Sequence, residues 1–209
     1  MTREQAILFI DGSNFYHSAR SIRIATGGLN YQAMAHKLVL DRNIAGIRYY
    51  VGKVSGDIFR VVQQEKFLSK LRAQSVEITL GRVERRTSDS DQNPMIRRLK
   101  KMLAANRADL KVSVVNEIES LCEISFLQYT EKRVDVSIAV DMVRMAYEDK
   151  YDVAYLLSAD GDFVPVVEAV RLRRKKVFVA SPVVGYELKR AADAFILLKS
   201  EWFSGLSDT

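Results

Sequence analysis

A single cysteine, Cys122, stands in the whole chain, so no intrachain disulfide and no cysteine-rich zinc site can form. The ordinary place for such a residue is the core, as a small apolar side chain. Histidine is almost as scarce: His17 and His36 are isolated and lack the paired spacing of a zinc site. No stretch approaches the roughly 18 consecutive apolar residues of a membrane span. The opening MTREQAILFIDG puts a short strand where a secretion signal needs a longer apolar region. Neither GxGxxG nor GxxxxGKS/T follows a strand, which excludes the usual glycine-rich cradles for nucleotide phosphates. These absences lead us to expect a cytoplasmic protein with no membrane partner.

What is present suits a globular chain. Of 209 residues, 48% are hydrophobic and 28% charged, enough to bury a continuous core. One domain over 1–209 is expected, with a basic insertion at about 82–129. The formal net charge of +6 favours polyanionic partners, because cationic side chains release counterions from phosphates. The distribution sharpens that reading. Several aspartates sit in apolar company while the excess Lys and Arg gather in two stretches, the balance of a metal-dependent enzyme acting on nucleic acid.

Hydrophobic periodicity predicts strands at Ala6–Ile10, Ile47–Val51 and Val76–Leu80, and helices at Tyr31–Leu40 and Ile58–Leu71. Asp11-Gly12-Ser13-Asn14 reads as a polar turn closing the first strand. After Gly81 the pattern breaks into a polar stretch with Asp89 and Asp91, a basic helix from Pro94 to about Ala105, and two strands at Lys111–Val115 and Glu123–Tyr129. Regularity returns with a helix from Arg133 to Tyr147, a strand Val153–Leu157, a helix Phe163–Leu172, a strand Val177–Ala180, a short helix Tyr186–Ala191 and a last strand Phe195–Leu198. Residues Gly205–Thr209 are expected to fray. Strand and helix alternation of this kind predicts βαβ units and a mainly parallel α/β sheet.

Parallel sheets carry functional groups just beyond the carboxyl ends of their strands. Asp11 directly follows the first strand, and Ser158-Ala159-Asp160-Gly161-Asp162 directly follows Val153–Leu157. The helix from Arg133 feeds that second strand and so runs antiparallel to it, which brings Asp135, in its first turn, to the same edge. Asp141 lies about 9 Å further down that axis at 1.5 Å per residue and is the weaker, supporting candidate. Each aspartate alone has an ordinary use as a turn residue or helix cap; separate caps have no reason to converge. Clustered carboxylates are costly unless a cation neutralises them, and Mg²⁺ or Mn²⁺ accepts such hard oxygen ligands while keeping waters for a phosphate. Phosphodiester hydrolysis is the natural outcome. Asn14 and Ser13 are placed to hold the scissile phosphate or orient Asp11, and Ser158 to support the Asp160 loop.

Four segments, FIDGSNFY at Phe9–Tyr16, KRVDVSIAVDMV at Lys132–Val143, LLSADGDFVPVV at Leu156–Val167 and AADAFILL at Ala191–Leu198, together resemble the NYN domain in the LabA-like branch of the PIN-like nuclease superfamily. The resemblance spans nearly the whole chain in the expected order. It implies a doubly wound, Rossmann-like (PIN-like) sheet with helices on both faces and a Mg²⁺- or Mn²⁺-dependent ribonuclease site. Asp11 and Asn14 would form the first pair, Asp135 the central acid, and Asp160 and Asp162 the final acids. A non-catalytic RNA-binding or assembly module on the same fold is the alternative. A phosphatase of the haloacid dehalogenase type fits less well, since position 13 is Ser where a second Asp is needed. A Toprim nuclease would want a glutamate in place of Asp11-Gly12.

Substrate contacts are sought in the basic insertion, where Arg82, Arg85, Arg86, Arg97, Arg98, Lys100, Lys101 and Arg107 outnumber the acids; Arg98 and Lys101 are the named candidates. The denser run Arg171–Lys176 ends a helix that starts beside Asp162, so it belongs at the opposite edge. Tyr16 is a candidate for stacking on an RNA base, whereas Phe15 serves packing equally well. Trp202 with Phe203 reads as a C-terminal packing contact or the contact of a homodimer.

Overall fold

A computed structural model describes residues 3–54, 58–88, 94–106, 111–116 and 126–207, with residues 82–88, 94–97 and 126–132 described by backbone alone. Cys122, Asp89, Asp91 and Arg107 lie outside the described residues, as do the side chains of Arg82, Arg85, Arg86 and Arg97.

The strands are β1 (Gln5–Asp11), β2 (Asn43–Lys53), β3 (Glu77–Ser88), β4 (Phe126–Lys132), β5 (Val153–Leu157), β6 (Lys176–Ser181) and β7 (Ala194–Leu197). They form one sheet in the order β4-β3-β2-β1-β5-β6-β7. From β3 through β7 every described pairing in that order is parallel. The helices are α1 (Gly12–Ser21), α2 (Tyr31–Val39), α3 (Ile58–Ala73), α4 (Pro94–Asn106), α5 (residues 112–116), α6 (Val134–Tyr147), α7 (Val164–Leu172) and α8 (Tyr186–Ala191).

Alternation along β1 shows why both faces need covering. Ala6, Leu8 and Ile10 enter one core with Phe15 of α1, Met34 and Leu38 of α2 and Leu68 of α3. Ile7 and Phe9 enter the other with Ile138 and Met142 of α6, Val167 of α7 and Leu188 of α8. A strand apolar on both sides must be sandwiched between helical layers, and the result is the doubly wound sheet. The chain winds outward from β1 through β2 to β3, then returns to β5 on the other side of β1. That reversal makes the crevice between β1 and β5 the switch point of the sheet.

The chain divides into two compact units, Met1–Arg82 with Lys132–Thr209, and Val83–Glu131. The second holds the far end of β3, α4, α5 and most of β4.

Three expectations are corrected. No polar loop separates β1 from α1: the helix begins at Gly12, because Asp11 is its N-cap and accepts a bond from the Asn14 amide. Residues expected as a strand at Lys111–Val115 are helical over 112–116, where the Val114 and Val115 amides both donate to the Lys111 carbonyl. Only Val115 is buried there, so the valine alternation meets no apolar face that would favour a strand. The C-terminus is docked as far as Ser207: the Asn30 amide donates to the Leu206 carbonyl at 2.7 Å, and Ser207 bridges Leu29. Lys37 also donates to the Trp202 carbonyl at 2.6 Å and lies over its indole ring. Trp202 and Phe203 are therefore packing residues of this lobe, Phe203 against Phe15.

Candidate active site

Ile10 of β1 lies level with Leu157 of β5, so Asp11 and Ser158 leave the sheet side by side. Asp11 is 3% exposed, too deep for a carboxylate unless its oxygens are bonded. They are: the Asn14 amide donates to Oδ1 at 3.1 Å and the Ser158 hydroxyl to Oδ2 at 3.2 Å. The same hydroxyl accepts from the Asp160 amide at 3.1 Å, and Asp160 Oδ1 accepts from the Asp162 amide at 3.0 Å. Asn14 closes the circuit, its Oδ1 accepting from the Ala159 amide at 3.0 Å. One hydrogen-bonded chain thus binds the β1–α1 corner to the β5 loop across the switch point. Ser13 lies half-buried in the first turn of α1, outside this chain.

Asp135 reaches this edge from α6. Burial pushes its carboxyl above the ordinary carboxylate range, and the charges of Asp160 and Asp162 push it the same way. Much of the residue still faces solvent, so the two neighbouring charges say more about its surroundings than burial does. Acids from a helix and a loop some 25 positions apart therefore feel one another, as the direction of α6 requires. Asp141 serves elsewhere. It accepts from the Tyr50 hydroxyl at 2.9 Å and pairs with Arg144 at 3.0 Å and Arg48 at 3.5 Å, which pins the middle of α6 to β2.

Among the described residues, no three acidic, histidine or cysteine side chains close on one point as a finished metal shell does. The donor set is nevertheless of the kind a hard divalent cation accepts: carboxylate oxygens alone, with the charges of Asp160 and Asp162, on one short turn, both bearing on Asp135.

Helix α8 adds an acid that the sequence pattern does not single out. Strand β6 is parallel too, so the loop after it and the first turn of α8 arrive at the same edge, and the geometry that places Asp135 also places Glu187. The Glu187 side chain lies against Gly161, and Gly185 abuts the backbone of Ala159. Tyr16 and His17 are exposed on α1, in edge-to-face contact at 5.2 Å, while Phe15 is buried in the core, which removes it as a stacking surface. Arg98 and Lys101 are exposed on α4. The run Arg171–Lys176 is largely satisfied by ion pairs, Arg171 with Asp193, Lys175 with Asp149 and Lys176 with Glu4. Arg173 lies over the Tyr147 ring.

A doubly wound sheet, parallel from β3 through β7 with helices on both faces, is the architecture of the PIN-like α/β proteins. The chain belongs to the NYN domain family, which matches residues 5–199, and so to the PIN-like nuclease superfamily. Among solved structures it is similar to a protein of unknown function from Vibrio parahaemolyticus RIMD 2210633, with a TM-score of 0.57 and 19% identity over 95% of each chain. At that identity the likeness concerns the fold. No curated protein matches the chain. Among the described residues no helix is long and apolar enough to cross a membrane.

Proposed function

We propose that this protein is a Mg²⁺- or Mn²⁺-dependent ribonuclease of the LabA-like branch, hydrolysing RNA phosphodiester bonds at Asp11, Asn14, Asp135, Asp160 and Asp162. The observation that supports the proposal is the hydrogen-bonded link from Asp11 through Ser158 to the Asp160 loop across the switch point, with burial and the charges of Asp160 and Asp162 raising the Asp135 carboxyl from the same edge. A bound Mg²⁺ or Mn²⁺ would supply Lewis acidity and an activated water for attack on phosphorus. Asp11, Asp135, Asp160 and Asp162 are the residues to hold it. Asp11 is kept in one orientation by the Asn14 amide and Ser158, at no cost in ordering when substrate arrives. Asn14 has its Oδ1 committed to Ala159, which leaves its Nδ2 donors for a phosphate oxygen. The N-terminus of α1 opens on the same spot, and its partial positive charge favours an anion there.

The spacing of the acids, which among the described residues do not close on one point, favours one competitor, an RNA-binding or assembly module that does not cut. Labelled single-stranded RNA, hairpin RNA and single-stranded DNA, incubated with Mn²⁺, Mg²⁺ or EDTA, distinguish the two. Metal-dependent cleavage of RNA, absent from Asp11→Asn/Asp160→Asn protein, is the expected result. Asparagine retains the N-cap at position 11, so that variant should keep its fold. RNA binding without cleavage at any metal concentration would transfer the assignment to the binding module.

A further inference from the structure

The outermost stripe of α6 is apolar. Val136, Val140, Val143 and Tyr147 follow one another at the four-three-four spacing of a coiled-coil seam, turned away from the Ile138, Met142 and Met145 that the core takes up. Val136 is 64% exposed and Val140 56%. Helix α7 packs alongside and runs the same way, its last turn bringing Arg173 over the Tyr147 ring at the C-terminal end of both helices. It extends the apolar surface with Leu172, 85% exposed. A covering helix of such a sheet normally buries one face and solvates the other; a helix apolar on both faces is made to be covered on both.

The charges of this surface sit at its ends. Asp135 lies in the first turn of α6 and Asp162 just ahead of α7, whereas Arg173 and Arg174 follow the last turn of α7. Among the described residues, none of these four has an opposite charge as its partner. A surface acidic at one end, basic at the other and apolar between is complementary to itself when turned end for end. A two-fold axis through the middle of α6 sets Val140 against Val143 of a second copy and Val136 against its Tyr147, and it turns each pair of arginines toward the acidic end of the other chain. We propose that this face is the interface of a homodimer, with α6 packed antiparallel on α6 and α7 alongside.

Sedimentation velocity of the full chain at micromolar concentration tests it, for wild type, Val140→Glu/Leu172→Glu and Arg173→Glu/Arg174→Glu, with circular dichroism to certify the fold. Wild type is expected at the mass of two chains. Glutamates at positions 140 and 172 should weaken the dimer roughly a hundredfold or more, because they bury charge without a partner. Reversal of the arginines should weaken it more at low salt than at high. Direction is read by oxidation in a Cys122→Ser background. Chains carrying both Val136→Cys and Tyr147→Cys should cross-link, and neither single variant should, since like positions then lie about 16 Å apart along the helices at 1.5 Å per residue. Wild type sedimenting as one chain overturns the proposal, as does a dimer that survives both glutamates. Cross-linking through Val136→Cys alone overturns the antiparallel arrangement.

Discussion

The Asp135 carboxyl holds its proton more tightly in the folded chain than in the unfolded one, because burial and the charges of Asp160 and Asp162 all disfavour its ionised form. Folding therefore gains from protonation at this residue. That gain is complete below the unfolded carboxyl pKa of about 3.9 and is lost as pH rises through the elevated folded value. Asp135→Asn should consequently raise Tm at pH 7 in EDTA, with the advantage shrinking as the pH is lowered toward 4 and below. Thermal denaturation at the two pH values reads this out, and equal Tm at pH 7 would mean that the acids do not strain the fold. At this scale the sequence was legible for position alone: Asp11, Asp135, Asp160 and Asp162 follow a strand or open a helix aimed at one edge, and that is the edge where they lie. It was not legible for Asp141, whose distance from Asp135 was clear but whose commitment to Tyr50 and Arg48 depends on how α6 crosses β2.

Among the elements, α8 is short, yet two of its contacts bear on the acidic loop. A methyl group on Gly185 would press on the Ala159 carbonyl oxygen, carbonyl carbon and Cα, all backbone that has little room to yield. Gly185→Ala is expected to cost about 1–3 kcal/mol of stability, the usual penalty of overpacking, and to lower cleavage by displacing Asp160. Urea denaturation beside the RNA assay tests it; wild-type values in both would show that α8 gives way freely. The strands were readable because most are apolar runs bounded by polar residues, with β5 buried throughout. Helix α1 escaped notice because Gly-Ser-Asn are turn formers by propensity, and the Asp11 cap together with the burial of Phe15 and Ala19 overrides that preference. The weight of Gly185 was hidden for a different reason: a glycine demanded by the backbone of a residue 26 positions away looks, in sequence, like any glycine in a loop.

For the whole molecule, the two basic stretches differ in what already neutralises them. Lys175 and Lys176 pair with Asp149, Asp152 and Glu4, whereas Arg98 and Lys101 stand exposed on α4. If α4 tracks single-stranded RNA, Arg98→Ala/Lys101→Ala should flatten the log–log salt dependence of binding by about 1.4, two phosphate contacts at roughly 0.7 each. Lys175→Ala/Lys176→Ala should leave the slope near that of wild type. Fluorescence anisotropy across a salt series measures both, and an unchanged slope in the first variant would return α4 to a merely solvated helix. The strand order has a further consequence, in time. Asp11 and Ser158 are bonded across 147 positions of chain, through the pairing of β1 with β5. As the polypeptide emerges, β1 finds β2 early, but its other edge stays open until β5 has been made. Non-local parallel pairing of this kind forms late. Pieces released before β5 would carry Asp11 without Ser158 beside it, and the bonds that join the two corners would form only when β5 pairs with β1.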